Sequence, residues 1–309
     1  MNFPTETDIG SKVTVRLHDP EGGYRDILGI LETPTAVRKR SGELAHFDPA
    51  KIHIWQIIPT ISHSAGTGAP LSLRISELEA AAGATWPATE IVDFGGWRYR
   101  CSEGFTFRAN SIMPIGKAPL GEPSTSLEAA TSHAIAYFKE RGLTPAFHLP
   151  LPSYAALDQY LEDAGWELGV EAQVMIADRS NLKFATAPIE VSLGTIPTPA
   201  WLNVQGDDRA GTIMSRYPAK YVGLRWADQD VAVGRLAEAN NWAILTRIFV
   251  KPEFRGRGFG AAVIKELVDQ SNCEKIALQV NVENLPAIAL YQKLGFRVHH
   301  YYRYRTWSK

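Results

Sequence analysis

Several things are scarce in this chain, and each scarcity excludes something. Its 309 residues include two cysteines, Cys101 and Cys273, far apart and without metal-ligand spacing. That argues against a disulfide framework and against a cysteine-built metal site. The eight histidines do not cluster. His299 and His300 are neighbours in a strand-like run and are expected to face opposite ways, so no metal is expected. Charge of either sign is not in excess, with 32 Lys plus Arg against 33 Asp plus Glu. This balance gives no electrostatic reason to expect nucleic acid or an anionic membrane. No apolar run approaches the roughly 18 residues of a membrane span, and residues 1–8 have neither the basic nor the apolar stretch of a leader. The expectation is a cytoplasmic protein. No G-x-x-x-x-G-K-[ST] string occurs, so a P-loop is excluded.

What is present is a glycine-rich turn, Arg255-Gly256-Arg257-Gly258-Phe259-Gly260. It follows an apolar strand-like run over 244–250. It precedes a helical pattern with Phe259, Val263, Ile264, Leu267 and Val268 on one face. Such a turn offers free backbone N–H groups and the positive end of the helix dipole, which attract phosphate. Two arginines add charge and bidentate hydrogen bonding. The spacing is not the G-x-G-x-x-G of a dinucleotide loop, but it satisfies R-x-x-G-x-G through Arg255, Gly258 and Gly260. Taken alone, the hexamer reads equally well as a plain chain reversal.

A second motif follows a strand over 275–280. Asn284 is a good helix N-cap, and Pro286 is tolerated in a first turn. Ile288, Tyr291 and Leu294 recur on one face, and Gly295 sits where a left-handed cap belongs. A strand resumes from Phe296. Upstream, 221–226 and 231–236 read as a hairpin. Strand, R-x-x-G-x-G turn, helix, strand, N-x-x-A-I-x-L-Y-x-K-L-G-F helix, strand: residues 244–304 resemble the core of the GNAT superfamily of N-acetyltransferases.

The resemblance implies an α/β fold and transfer of acetyl from acetyl-CoA to an amine by direct attack. By position, Arg255, Gly256, Arg257, Gly258, Phe259 and Gly260 would hold the coenzyme's pyrophosphate. Ile248, Phe249 and Val250 would pair with its pantetheine arm, with an N–H at Phe249 or Val250 polarising the thioester carbonyl. Asn284 would touch the coenzyme or only cap its helix. Tyr291 falls where the family places the acid that protonates the departing thiolate; the same residue could simply fill a helix–sheet interface. The run 244–247 carries no carboxylate where many relatives have one. Glu238, Asp228 and Asp230 could act through water, but each reads better as a solvated surface charge, and the base stays unassigned.

The rest of the chain divides by pattern into 1–61, read as an SH3-like all-β barrel; 62–71, a Ser/Gly/Ala linker; 72–182; and 183–309. In 72–182 a hairpin is expected over 96–100 and 106–108, then helix 126–142, strand 145–150, helix 153–164 and strand 167–177. That order repeats the one after 244, with Leu161 in the place of Tyr291, and loop 118–123 lacks the arginine-glycine turn. It reads either as a degenerate GNAT-like half without cofactor or as an ordinary α/β segment. The whole chain resembles a family of actinobacterial acetyltransferases, with 95–100 and 104–111 carrying its middle part. A corynebacterial branch of that family is assigned as N-acetylglutamate synthase, the first step of arginine biosynthesis. The resemblance therefore implies L-glutamate as acceptor. Two carboxylates would call for cations, for which Arg108, Arg225, Arg235 and Arg247 are candidates, with Asn110 beside Arg108. A strand-end hydrogen bond explains Arg108 and Asn110 as well. Two rivals stay open: acetylation of another small amine or of a protein lysine or N-terminus, and a non-catalytic acetyl-CoA-binding protein. The barrel could serve a protein partner or a homo-oligomer.

Overall fold

The computed structural model describes residues 3–19, 22–39, 42–57, 68–184, 189–206 and 210–308. Two compact units result, Met1–His63 and Ser64–Lys309. Most of the expected linker, residues 62–67, lies outside the described residues.

The first unit is an antiparallel sheet of β1 (Lys12–His18), β2 (Tyr24–Thr33), β3 (Ala36–Lys39), β4 (Leu44–His46) and β5 (Ile52–Ile57), in the order β4-β3-β2-β1-β5. Period-two alternation puts Val13, Val15 and Leu17 of β1 into a core with Ile27, Leu31 and Val37. The expected barrel is not closed among the described residues, because β4 lasts three residues before a 3-10 turn at Pro49–Lys51 and does not pair with β5.

The second unit begins with α1 (Leu71–Ala84), β6 (Glu90–Phe94), β7 (Trp97–Cys101), a 3-10 turn at Phe107–Ala109 and β8 (Ser111–Pro114). Then come α2 (Leu127–Lys139), β9 (Ala146–Leu151), α3 (Ala155–Asp163), β10 (Glu167–Asp178), β11 (Glu190–Gly194), α4 (Pro199–Gln205) and α5 (Ala210–Met214). The last part is β12 (Lys220–Trp226), β13 (Gln229–Ala239), β14 (Trp242–Val250), α6 (Phe259–Asp269), β15 (Lys275–Asn281), α7 (Leu285–Leu294) and β16 (Arg297–Thr306). The hairpin expected over 96–108 is corrected: β7 pairs with β6 and β8, and 106–108 is loop and 3-10 turn.

One sheet of eleven strands runs β11-β12-β13-β14-β15-β10-β16-β9-β8-β7-β6. The order is nearly palindromic about β10 and β16. Each of these closing strands has crossed over: β10 pairs with β15, and β16 pairs with β9. No sheet boundary therefore falls at 182/183. Ala172 lies opposite Tyr302 in the central antiparallel pair, at the centre of a pseudo-twofold relation between the halves. In both halves the third and fourth strands are parallel, β8 with β9 and β14 with β15.

On one face, α6 buries Val263, Ile264 and Leu267 against β12–β15, each contributing about 1.5–3 kcal/mol. On the same terms Leu157 and Leu161 of α3 join Trp97, Phe138 and Phe147 in a core of the first half. Leu78 and Ala81 of α1 pack on Ala172, Val174 and Ile176 of β10 and on Tyr302 and Tyr304 of β16. Alternation along β10 sends Met175 and Ala177 instead to the core under α6, so α1 lies on the opposite face.

Candidate active site

The site is made by a splay. β14 pairs with β15 only from Trp242 to Leu245, opposite Lys275 to Leu278; beyond Leu245 the strands part. A bulge in β14 accompanies the parting. Val233 faces Phe249 and Arg235 faces Thr246, so Arg247 and Ile248 together oppose Gly234. Arg247 takes φ 56°, a left-handed conformation costing a non-glycine residue about 1–3 kcal/mol. Its carbonyl accepts from Gln205 Nε2 at 2.6 Å, which ties the bulge to α4. A side chain at Gly234 would meet Val263 Cγ1 at 2.5 Å, so only glycine lets α6 sit this close.

Beyond the bulge the edge of β14 is open. Lys251 N donates to Val231 O at 3.0 Å, across to β13. Strand alternation then turns the N–H groups of Val250 and Ile248 the other way, toward the parted edge. Ile248, Phe249 and Val250 line a cleft of about 530 Å³ with Arg255, Gly256, Gly258, Phe259, Gly260, Asn284, Leu290 and Tyr291. Gly258 is the N-cap of α6 at φ 85° and Gly256 has φ 76°. Neither crowds a neighbour, so glycine is needed there for conformation. A glycine cap has no side chain to spend on the first-turn N–H groups, which stay available to an anion.

Arg255 lies at the cleft with Nε donating to Val250 O at 3.2 Å. Arg257 instead stacks its guanidinium on Trp226 and Phe254, at 5.3 and 5.6 Å from the ring centroids. Asn284 Oδ1 accepts from Ala287 N at 3.3 Å, so it caps α7 while lining the cleft. Tyr291 is 7 % exposed, and burial pushes its phenol up to about 12. These features fit a thioester carried on a diphosphate: open donors at a helix start, a free strand edge and a buried phenol.

Along the same strand, Ile244 to Arg247 border a second space of about 170 Å³, with Trp86, Thr106, Arg108 and Gln279. Arg108 NH2 donates to Tyr302 OH at 3.4 Å, and Tyr302 OH donates to Gln279 Oε1 at 3.2 Å. Behind the wall Arg235 is fully buried and donates to Thr85 O, Thr246 Oγ1 and Tyr221 OH, all neutral. Burial lowers its pKa. Sequence reasoning missed Gln279, Trp86 and Thr106, which carry no local motif.

Other candidates lie elsewhere. The Asn110 carboxamide is spent on its own loop, accepting from Ser102 N and Gly104 N and donating to the Ser102, Phe105 and Thr106 carbonyls. Arg225 is exposed and pairs with Asp228 in the β12–β13 turn. Glu238 accepts from Ser271 Oγ at 2.6 Å and Asn272 N at 3.2 Å, beyond the end of α6. None of the three carboxylates considered as a base lines either space. The expectation that His299 and His300 diverge is corrected. Their Nδ1 atoms are 2.8 Å apart, because a bulge in β16 leaves His299 without a partner between Val298 and His300. Among the described residues no His, Cys, Asp and Glu group could hold a metal ion, and no helix is long and apolar enough to cross a membrane.

Comparison with known proteins agrees with this geometry. A family model described as "Probable histone acetyltransferase Rv0428c C-terminal" matches residues 73–305. The "Uncharacterized N-acetyltransferase YobR" of Bacillus subtilis is 29% identical over 247 residues, 74% of this chain and 97% of that protein. The "Probable histone acetyltransferase Rv0428c" of Mycobacterium tuberculosis is 25% identical over 316 residues, 96% of this chain and 94% of that one. Among solved structures, a GCN5-related N-acetyltransferase from Kribbella flavida superposes with TM-score 0.61 at 12% identity, over 75% of this chain and 95% of that one. A tandem GNAT protein from the clavulanic acid biosynthesis pathway gives TM-score 0.50 at 14% identity, over 76% and 87%.

Proposed function

The chain belongs to the family of that model, and we propose that it moves acetyl from acetyl-CoA to a small amine bearing a carboxylate, with L-glutamate as the acceptor. The observation that carries this reading is the continuity of two spaces along β14. One has open backbone donors and the other is walled by arginines. In this reading 183–309 carries the chemistry, and 72–182 is a degenerate half that contributes Trp86, Thr106 and Arg108 to the acceptor wall.

The α6 turn, Arg255 to Gly260, holds the diphosphate through its N–H groups and the Arg255 guanidinium. The strand edge from Ile248 to Val250 takes the pantetheine amides as a neighbouring strand would. The Val250 N–H, facing that edge, stabilises negative charge on the thioester oxygen as the amine nitrogen bonds to the carbonyl carbon. As the carbon–sulfur bond breaks, Tyr291 gives its proton to the thiolate. Its raised pKa keeps it protonated at neutral pH. Arg108 and Arg247 face the acceptor's carboxylates. Among the described residues neither space is lined by a carboxylate, so one ammonium proton leaves to solvent before attack, and the second, released as the amide forms, restores the Tyr291 phenol through water.

The test is release of free thiol from acetyl-CoA by the purified chain against separate amino acids. Saturable, glutamate-dependent release with weak activity on glutamine is expected. Turnover with lysine peptides and none with glutamate would reject the acceptor. The name of the mycobacterial relative, a probable histone acetyltransferase, favours that second reading, a protein acceptor. Heat of acetyl-CoA binding without turnover of any amine would leave only the coenzyme-binding function.

A further inference from the structure

The pseudo-twofold relation assigns a partner to a buried donor at the acceptor wall, the Gln279 amide nitrogen. In the central pair, Ala172 of β10 is opposite Tyr302 of β16. Two residues further along each strand, Val174 is opposite Gln279 of β15, and Tyr304 is opposite His148 of β9. Gln279 and His148 are therefore equivalent positions in the two halves.

At His148 the protein itself supplies a carboxylate close by. Arg100 NH2 lies 3.1 Å from His148 Nδ1. A guanidinium can only donate, so Nδ1 accepts and the ring proton sits on Nε2. Nε2 lies 3.5 Å from Glu79 Oε2 of α1, an ion-pair separation at which no hydrogen bond forms, and both side chains are buried. Glu79 is held in place by His300 Nε2, 3.0 Å from Oε1. The first half thus carries a built-in carboxylate in front of its wall donor.

At Gln279 no such group is supplied among the described residues. The Tyr302 hydroxyl donates to Oε1, which fixes the amide's orientation and leaves Nε2 as the free end. Nε2 is buried and has no partner, and the residue borders the same space as Arg108 and Arg247. A buried donor without an acceptor costs about 1–3 kcal/mol. The arrangement suits an anion that arrives with the substrate.

We propose that Gln279, oriented by Tyr302, determines specificity by donating to a carboxylate of the acceptor, in the place that Glu79 occupies before His148 in the other half. The proposal rests on the small-acceptor reading above. It names the ligand chemistry, a carboxylate beside the reacting amine, and the residue that selects it. Tyr302 is a positioning residue, since it acts only through Gln279.

The experiment compares L-glutamate, L-alanine and L-lysine with their α-carboxamides, on the full chain and on Gln279→Glu and Gln279→Met. For the free acids, kcat/KM should fall about 10- to 100-fold in both variants, the loss of one hydrogen bond to a charged group. For the carboxamides, whose neutral carbonyl accepts a weaker hydrogen bond from Nε2, it should fall less in Gln279→Met, by under about tenfold. Equal losses on acids and amides, or no loss on either, would overturn the assignment. So would an enzyme that turns over peptide lysines alone. A binding readout separates this from the acetyl-transfer reading. Stabilisation of the wild-type melt by L-glutamate, lost in Gln279→Glu, upholds the carboxylate site even if thiol release is absent. Stabilisation that persists in Gln279→Glu sinks it.

Discussion

The two halves of the large sheet build the same strand, loop and helix, and spend the loop's backbone differently. In the first half Ile115 N and Gly116 N donate to Gly96 O at 2.9 and 2.8 Å, and Gly121 N donates to Lys117 O at 2.9 Å. The helix that follows, α2, is capped by the Ser126 side chain, which accepts from Ala129 N at 3.2 Å. α6 instead starts from a left-handed glycine with no side-chain cap. A cleft of about 560 Å³ survives in the first half, no smaller than the one beside α6, but α1 forms one wall of it and Tyr154 OH bonds to Gly116 O. Size does not separate the two clefts. What separates them is whether donors at the helix start are already satisfied by the protein.

Exchanging features between the halves breaks or sharpens this contrast. The largest effect is expected at Tyr291, whose counterpart is Leu161. Tyr291→Phe and Tyr291→Leu should both lower kcat about 100-fold, at the low end of general-acid contributions. Calorimetric affinity for acetyl-CoA should stay constant, and an unchanged kcat across the pH range would remove the acid role. A smaller effect is expected from Gly258→Ser, which gives α6 the cap residue of α2. A non-glycine residue at φ 85° costs about 1–2 kcal/mol of stability, and a serine hydroxyl that takes up a first-turn N–H should make acetyl-CoA bind about tenfold more weakly, about the worth of one hydrogen bond to a charged group. Lys117→Ala, on the corresponding loop of the first half, should bind it as the wild type does.

The smallest effect concerns pH, where the buried imidazoles between α1 and the sheet differ from the amide at Gln279. Burial lowers His148 to about 3 and His299 to about 4. Burial also opposes the Glu79 charge, but His148 and His300 outweigh it and hold that carboxyl at about 2. All three groups bind protons more readily when unfolded, so stability falls as pH drops. The loss begins near 6.5 with the histidines and continues from 4.5 toward 2 with Glu79. Each depressed group should remove at most about 1.4 kcal/mol per pH unit within its window. His148→Gln should flatten the melting temperature between pH 6.5 and 4. An equally steep curve would mean that His148 is not the group responsible.

The cleft beside α6 was legible in the sequence because its signals are local: Gly258 before the α6 pattern, Asn284 before α7 and Tyr291 within it all lie in two short segments. Strands β9, β10 and β14–β16 were legible from their apolar runs. The smaller space along β14 was legible only in part: Arg108 and Arg247 were candidates, but Trp86, Thr106 and Gln279 join them only through the order of strands, and a glutamine in a strand has no signature. α1 escaped notice because much of its buried face is alanine, with Ala81 and Ala82 beside Ile75 and Leu78. Its buried Glu79 reads as a surface charge until His148 and His300 are placed around it. The bulge at His299 likewise depends on pairing with β10.

The crossing of β10 and β16 makes the halves structurally indivisible. A fragment starting at 183 would keep Tyr291 and the α6 turn yet present bare edges on β15 and β16 where β10 belongs, and exposed edges of that kind recruit other chains. Attempts to shorten the enzyme to its catalytic motif should therefore yield insoluble material. Any ancestral doubling of the gene that produced the palindrome would have become irreversible once the two tails traded places.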